Sequence, residues 1–239
     1  MLRILVIPLL LCSACDSKPV APAGAPEVSK SETAAKDGKR AAAAADPKLL
    51  DPAAARGEAP AEYVVEFTTT EGKIEVTVHR DWAPLGADRF YNLVQLGYFT
   101  DVAFFRVVKG FMVQFGMHGV PEVNAAWKTA RIADDPRTQS NRKGTISFAN
   151  SGPGTRTTQL FINFGDNVPL DSMDFAPFGE VTAGMDVVAK LHDGYGDGPP
   201  QGSGPDQREI ERNGNVYLQQ RYPELDYIQS ATIIGAGAQ

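Results

Sequence analysis

Residues 104–116, FFRVVKGFMVQFG, are apolar almost throughout, yet they hold one arginine and one glutamine. Two strand-like runs flank Lys109-Gly110, so the segment is expected to fold back on itself as a β-hairpin. With a three-residue loop, Arg106 stands opposite Gln114. Met112 joins them on the same face, because side chains alternate along a strand. A guanidinium supplies fixed hydrogen-bond donors and keeps its charge, and a neighbouring amide can aim those donors. This pattern suits positioned donation rather than covalent attack. An arginine among apolar groups is costly unless it is paired or partly wet. The same residues therefore also fit an arginine that snorkels from a barrel rim.

Other chemistry finds little support. There is no G-x-S-x-G stretch, and both cysteines, Cys12 and Cys15, lie at the extreme N-terminus. Their C-x-x-C spacing has no second ligand pair for zinc, and the rest of the chain has no cysteine for a disulfide. His79, His118 and His192 are scattered without metal-ligand spacing and are expected to be ordinary surface or core residues. Neither metal nor cofactor is expected. A net charge of −6 without any Lys/Arg cluster lacks the basic footprint of a nucleic-acid binder.

A second block, GTISFANSGPGTRTTQLFINFGDN, follows over residues 144–167, and FGEVTAGMDVVAKL occupies 178–191. Together with the hairpin, these blocks resemble the cyclophilin family of peptidyl-prolyl isomerases. The resemblance covers roughly residues 62–191 and the last strand. It implies a mainly β fold, a closed eight-stranded antiparallel barrel capped by two helices, acting on proline-containing proteins or peptides as a monomer. It also implies site residues. Arg106 matches the catalytic arginine and Gln114 the residue that positions it. Phe111, Met112, Phe161 and Leu170 match the walls of the proline pocket. Ala149, Asn150 and Gln159 match the groove for the peptide backbone, and Phe175 falls where many members carry histidine and others an aromatic residue. Three positions depart from the pattern. Phe105 replaces the histidine before the arginine, and its side chain should face away from the site with little effect. Phe115 replaces the first of two glycines. Pro169 stands where relatives have Trp or Phe, which puts one wall of the pocket in question. Two readings from other classes use the same residues: a peptide-binding, chaperone-like module with little turnover, and a purely structural envelope lipoprotein.

The elements that must position these residues can be read from periodicity. EYVVEFTTTEGKIEVTVH alternates around Glu71-Gly72 as a hairpin. In APLGADRFYNLVQLGYF, Ala87, Phe90, Leu93 and Val94 share one helical face, with Pro84 at the start and Gly97 at the stop. Strands are expected over 144–150, 159–165, 175–181 and 226–234, and a helix over AGMDVVAKLHDG. Residues 194–207, GYGDGPPQGSGPDQ, are too rich in breakers for regular structure. A short helix is expected within 215–222.

The N-terminus reads as an address. Met1-Leu2-Arg3 and a short apolar run precede LLLCSAC, which is similar to the lipobox of bacterial lipoproteins, although Cys12 stands at its usual Leu position. The expected organisation is a signal peptide at 1–14, lipidation at Cys15, and a disordered Ala/Pro-rich tether at 15–60. The isomerase-like domain would span 61–239, with a Gly/Pro-rich insertion near 194–225. The expected location is the bacterial cell envelope, held to a membrane by the lipid on the periplasmic side. The alternative is a plain signal and release into the periplasm.

Overall fold

Alternation of buried and exposed side chains builds the first hairpin, Glu62–Thr69 (β1) and Lys73–His79 (β2), in a computed structural model that describes residues 44–236. The expected signal peptide, Cys15 and the expected tether as far as residue 43 lie outside the described residues. The inward set of β1 and β2, including Val65, Phe67, Ile74, Val76 and Val78, is buried. Pro84–Gln95 (α1) lays Ala87, Phe90, Leu93 and Val94 against this face. Gly97, at φ +73, lets the chain turn off the helix, and Tyr98 N–H bonds back to Leu93 O.

Val102–Ala103 (β3), Arg106–Val108 (β4) and Met112–Phe115 (β5) follow, then Pro121–Trp127 (α2), Thr145–Phe148 (β6) and Leu160–Asn163 (β7). Pro177–Ala183 (β8), Met185–Val188 (α3), Gln207–Arg221 (α4) and Tyr227–Ala236 (β9) complete the described elements. Every strand pairing is antiparallel, in the order β3-β9-β1-β2-β8-β6-β7-β5-β4. The expected closed eight-stranded barrel is therefore corrected to a curled half-barrel of nine strands. Its two edges are consecutive pieces of one run. β3 pairs with β9 and β4 with β5, and the ladder breaks between them at Phe104 and Phe105. There Phe104 N–H bonds to Asp226 O, while the Phe105 ring enters a second, smaller core with Ala103, Met117, Ile210, Leu218 and Leu225.

The helices also differ from expectation. α3 is a single turn rather than a helix over 183–194. α4 is two helical segments that meet at Gly214, where φ is +55 and ψ −142; the second falls where a helix was expected within 215–222, and the first, from Gln207, was not expected. The folded body begins before residue 61. Asp46 and Asp51 cap two 3-10 turns, Pro47–Leu50 and Pro52–Ala54, within the segment expected to be tether. Leu49 is buried, and its carbonyl accepts the Trp127 indole N–H at 2.7 Å. The Ala/Pro-rich average of residues 15–60 hides these two capped turns and the one leucine they bury.

Candidate active site

The β4–β5 hairpin has the expected three-residue loop, 109–111, with Gly110 at φ +76. Arg106 pairs with Gln114 and Val108 with Met112, so the three polar and apolar side chains of interest share one face. Arg106 Nη1 donates to Gln114 Oε1 at 3.0 Å, and Gln114 Nε2 donates to Gln159 Oε1 at 2.8 Å. The amide can point only this way, because arginine has no acceptor to offer. Gln114 is buried, so the relay from Gln159, just before β7, through β5 to Arg106 is shielded from competing water. The arginine is thus aimed by partners and is no mere snorkelling cation.

A further partner was not expected. Arg106 Nε donates to Asp197 Oδ1 at 2.9 Å and Nη2 donates to Asp197 Oδ2 at 2.8 Å. This is a two-pronged fork between side chains each 27% exposed. Asp197 lies in the Gly/Pro-rich loop, where an acidic residue among breakers was the only hint in the sequence.

A cavity of about 250 Å³ opens beside the guanidinium. Its apolar part is made by Phe111, Met112, Phe161, Leu170 and Phe175, with the rings of Phe161 and Phe175 edge-to-face at 5.4 Å. Gln114, Ala149, Asn150 and Gln159 continue the lining toward a groove, and Ser151, Thr155, Thr157 and Gln207 add polar rim positions that the sequence reading missed. The structure therefore brings Arg106 and all nine other candidate side chains to one cleft. Ala149 N–H is used in the sheet, bonding to Gln159 O at 2.9 Å. Leu170 arrives on the 3-10 turn Val168–Met173. That turn is anchored by Asn141, which donates to Asp171 Oδ1 and to Phe175 O. Burial raises the Asp171 carboxyl, but donors from Ser140 and Asn141, with Arg137 nearby, outweigh it and hold the group below the usual carboxylate range.

The three departures now have structural outcomes. Pro169 is exposed and does not line the cavity, so the wall expected at that position is left to Leu170 and Phe175. Phe105 faces away from the site into the second core. Phe115 fills the main core, edge-on to Phe67 and Phe104 at 5.8 and 5.3 Å. Gly116 is retained at φ +100, where a Cβ would strike Thr158 O.

The lining holds hydroxyls but no histidine to activate one, and no cysteine. What it offers is an apolar slot with one oriented cation at its lip. Such a site can grip a compact apolar residue and donate hydrogen bonds to the polar atoms beside it.

Known proteins are similar to this chain in sequence and in fold. The family profile described as cyclophilin-type peptidyl-prolyl cis-trans isomerase/CLD matches residues 64–212. A peptidyl-prolyl cis-trans isomerase of Acinetobacter baylyi is 33% identical over 136 residues, which are 55% of this chain and 72% of that protein. Peptidyl-prolyl cis-trans isomerase A of Dickeya dadantii is 34% identical over 132 residues, 53% of this chain and 70% of that protein. Among solved structures, a cyclophilin-type isomerase of Cryptosporidium parvum superposes with a TM-score of 0.54 at 18% identity, covering 74% of this chain and 99% of that one. The same protein, crystallised in the presence of the dipeptide Ala-Pro, gives a TM-score of 0.53 at 17% identity, over 72% of this chain and 99% of that one.

Proposed function

The chain belongs to the cyclophilin-type peptidyl-prolyl cis-trans isomerases, and on that premise we propose that Arg106, aimed by Gln114, is the group through which it lowers the barrier to rotation about X-Pro bonds. That barrier is about 18–20 kcal/mol, because amide resonance must be broken. Uncatalysed rotation takes about 10–100 s. No bond is made or cleaved, so no nucleophile or base is needed. As the bond twists, the imide nitrogen becomes pyramidal and regains a lone pair. A donor that meets that lone pair, or the adjacent carbonyl, favours the twisted state over the planar one. Arg106 supplies such donors beside an apolar cavity, where one electrostatic contact counts for more than it does in water. Phe111, Met112, Phe161 and Leu170 hold the proline ring, with Phe175 closing that side. Ala149, Asn150 and Gln159 hold the neighbouring peptide, so that one side of the bond stays fixed while the other rotates.

The observation that carries this reading is the Arg106–Gln114 hydrogen bond of 3.0 Å at the lip of an apolar cavity. The test is a protease-coupled isomerisation assay. Arg106→Ala is expected to lower kcat/KM by about 10²–10³-fold, the scale of a lost transition-state donor, in a protein that still folds but is less stable, because Gln114 and Asp197 lose their partner. Wild-type turnover by a folded Arg106→Ala protein would overturn the role.

The Ala-Pro dipeptide used with the Cryptosporidium relative supports proline-containing peptides as the ligand class for this cleft. The LLLCSAC stretch supports lipidation at Cys15 and a tethered monomer acting on envelope proteins. One acyl chain holds a membrane only marginally, whereas several anchor it stably. Mass spectrometry of the mature N-terminus checks this. A lipid-modified Cys15, with release from membranes in Cys15→Ala, is the expected result, and an unmodified chain starting beyond Cys15 would end the idea.

A further inference from the structure

The loop that follows α3 closes around the main chain of one residue, Asp197. Gly204 N–H donates to Asp197 O at 2.8 Å. Gly202 and Gly204 pack so closely on that carbonyl that a Cβ at either would collide with it, and a Cβ at Gly198 would lie 2.6 Å from Pro205 O. The glycines therefore let the backbone close tightly on itself, rather than leaving it loose. Side chains then seat the loop on the fold. Tyr222 Oη donates to the carbonyls of Ser203 and Gly204 at 3.2 and 3.0 Å, and its ring meets that of Tyr195 edge-on at 5.0 Å. Lys109, in the β4–β5 loop, pairs with Asp193 at 2.7 Å. Beneath the loop lies the second core with Phe105, the residue next to Arg106.

The outcome is a preset carboxylate on the Nε edge of Arg106. A guanidinium has five N–H donors. Asp197 engages two of them, one on Nε and one on Nη2, and Gln114 engages one on Nη1. One hydrogen on each of Nη1 and Nη2 is left over. Asp197 does not line the proline cavity. It lines an adjoining cavity of about 610 Å³ on the other side of the arginine, and Arg106 and Gln207 border both. The carboxylate thus approaches the cation from behind and leaves the slot open.

We propose that Asp197 is a positioning residue for catalysis: by clamping the Nε edge of Arg106 against the insertion loop, it turns the remaining guanidinium donors toward the bound prolyl peptide. This rests on the assignment of Arg106 as the donor to the twisted imide. Held by Gln114 alone, the side chain could swing about that single bond. A fork on a second edge fixes its plane, and misplacement of a catalytic group by about 1 Å costs on the order of 10²-fold.

The experiment is a double-mutant cycle on the full chain, with an Ala-Pro-containing peptide in the isomerisation assay. The proteins are wild type, Arg106→Ala, Asp197→Asn and the double variant. Asp197→Asn keeps the shape of the side chain but loses the charged fork, and is expected to lower kcat about tenfold with KM within about twofold. The double variant should be no slower than Arg106→Ala alone, because Asp197 acts only through the arginine. In wild type, the Nε–H resonance of Arg106 should exchange slowly with solvent, a reading that needs no variant to fold. Unchanged or faster turnover in Asp197→Asn, a loss that adds to that of Arg106→Ala, or a rapidly exchanging Nε–H would each overturn the proposal. Normal activity in Arg106→Ala would instead strike the assignment of Arg106 itself.

Discussion

Phe115 and Gly116 show how two adjacent residues answer to different demands. Phe115 stands where the family resemblance leads to an expected glycine, and its ring is absorbed by the aromatic core. Gly116 cannot be replaced so easily, because its φ is positive and Thr158 O occupies the place of a Cβ. Two residues further on, His118 makes a different statement. Its ring is buried, Nδ1 accepts Val120 N–H at 3.0 Å, and burial pulls the pKa down to about 4. An unfolded chain has an ordinary histidine near pH 6.5. Between these two values the unfolded state binds a proton that the folded state refuses, so stability falls as the pH drops from about 6.5 toward 4. Wild type is expected to lose about 2 kcal/mol from this residue between pH 7 and pH 5. His118→Asn, which retains an acceptor and does not titrate, should lose that much less. Urea unfolding at the two pH values checks this, and parallel losses in the two proteins would refute it.

Among the elements, those whose pattern is local were legible. The first hairpin, α1 with its Gly97 stop, and the β4–β5 register with Arg106 across from Gln114 all follow from alternation, helical period and turn residues. The ten candidate cleft residues were named because the blocks that carry them resemble the family's motifs, and the fold then brings those blocks to one cleft. Elements whose limits are set by distant contacts were not legible. The helix expected over 183–194 stops after one turn, and four residues beyond it His192 N–H is tied to Asp226 Oδ2 at 2.8 Å. α4 was read as beginning after Gly214. That glycine does break the helix, with φ +55 and ψ −142, and it admits Gly119 O at close range; the segment after it is the one expected, and the segment from Gln207 to it was not read. Asp197 was missed for the same reason. It is 91 residues from Arg106, and nothing in a Gly/Pro-rich run says which carboxylate will face which cation.

At the scale of the molecule, the N-terminal limit of the domain is the testable point. A chain beginning at residue 44 retains Leu49 and its bond to Trp127, whereas one beginning at 61 loses both, along with the two hydrogen bonds between Gly57 and Asn92. Burial of one leucine is worth about 1.5–3 kcal/mol and each hydrogen bond about 1 kcal/mol. The shorter chain should therefore be less stable by several kcal/mol, on the order of 5. Equal urea midpoints for the two chains would refute this. The strand order has a further consequence, in time rather than space. β1 is the earliest described strand to be synthesised and β9 the last, yet the two lie side by side inside the sheet, third and second from the β3 edge. A growing chain can form its local hairpins as they emerge, but β1 keeps one edge unpaired until β9 exists. An unpaired edge invites association with other chains. A catalyst of other proteins' slow folding steps is therefore itself exposed for most of its own synthesis, and depends during that interval on whatever shelters nascent chains.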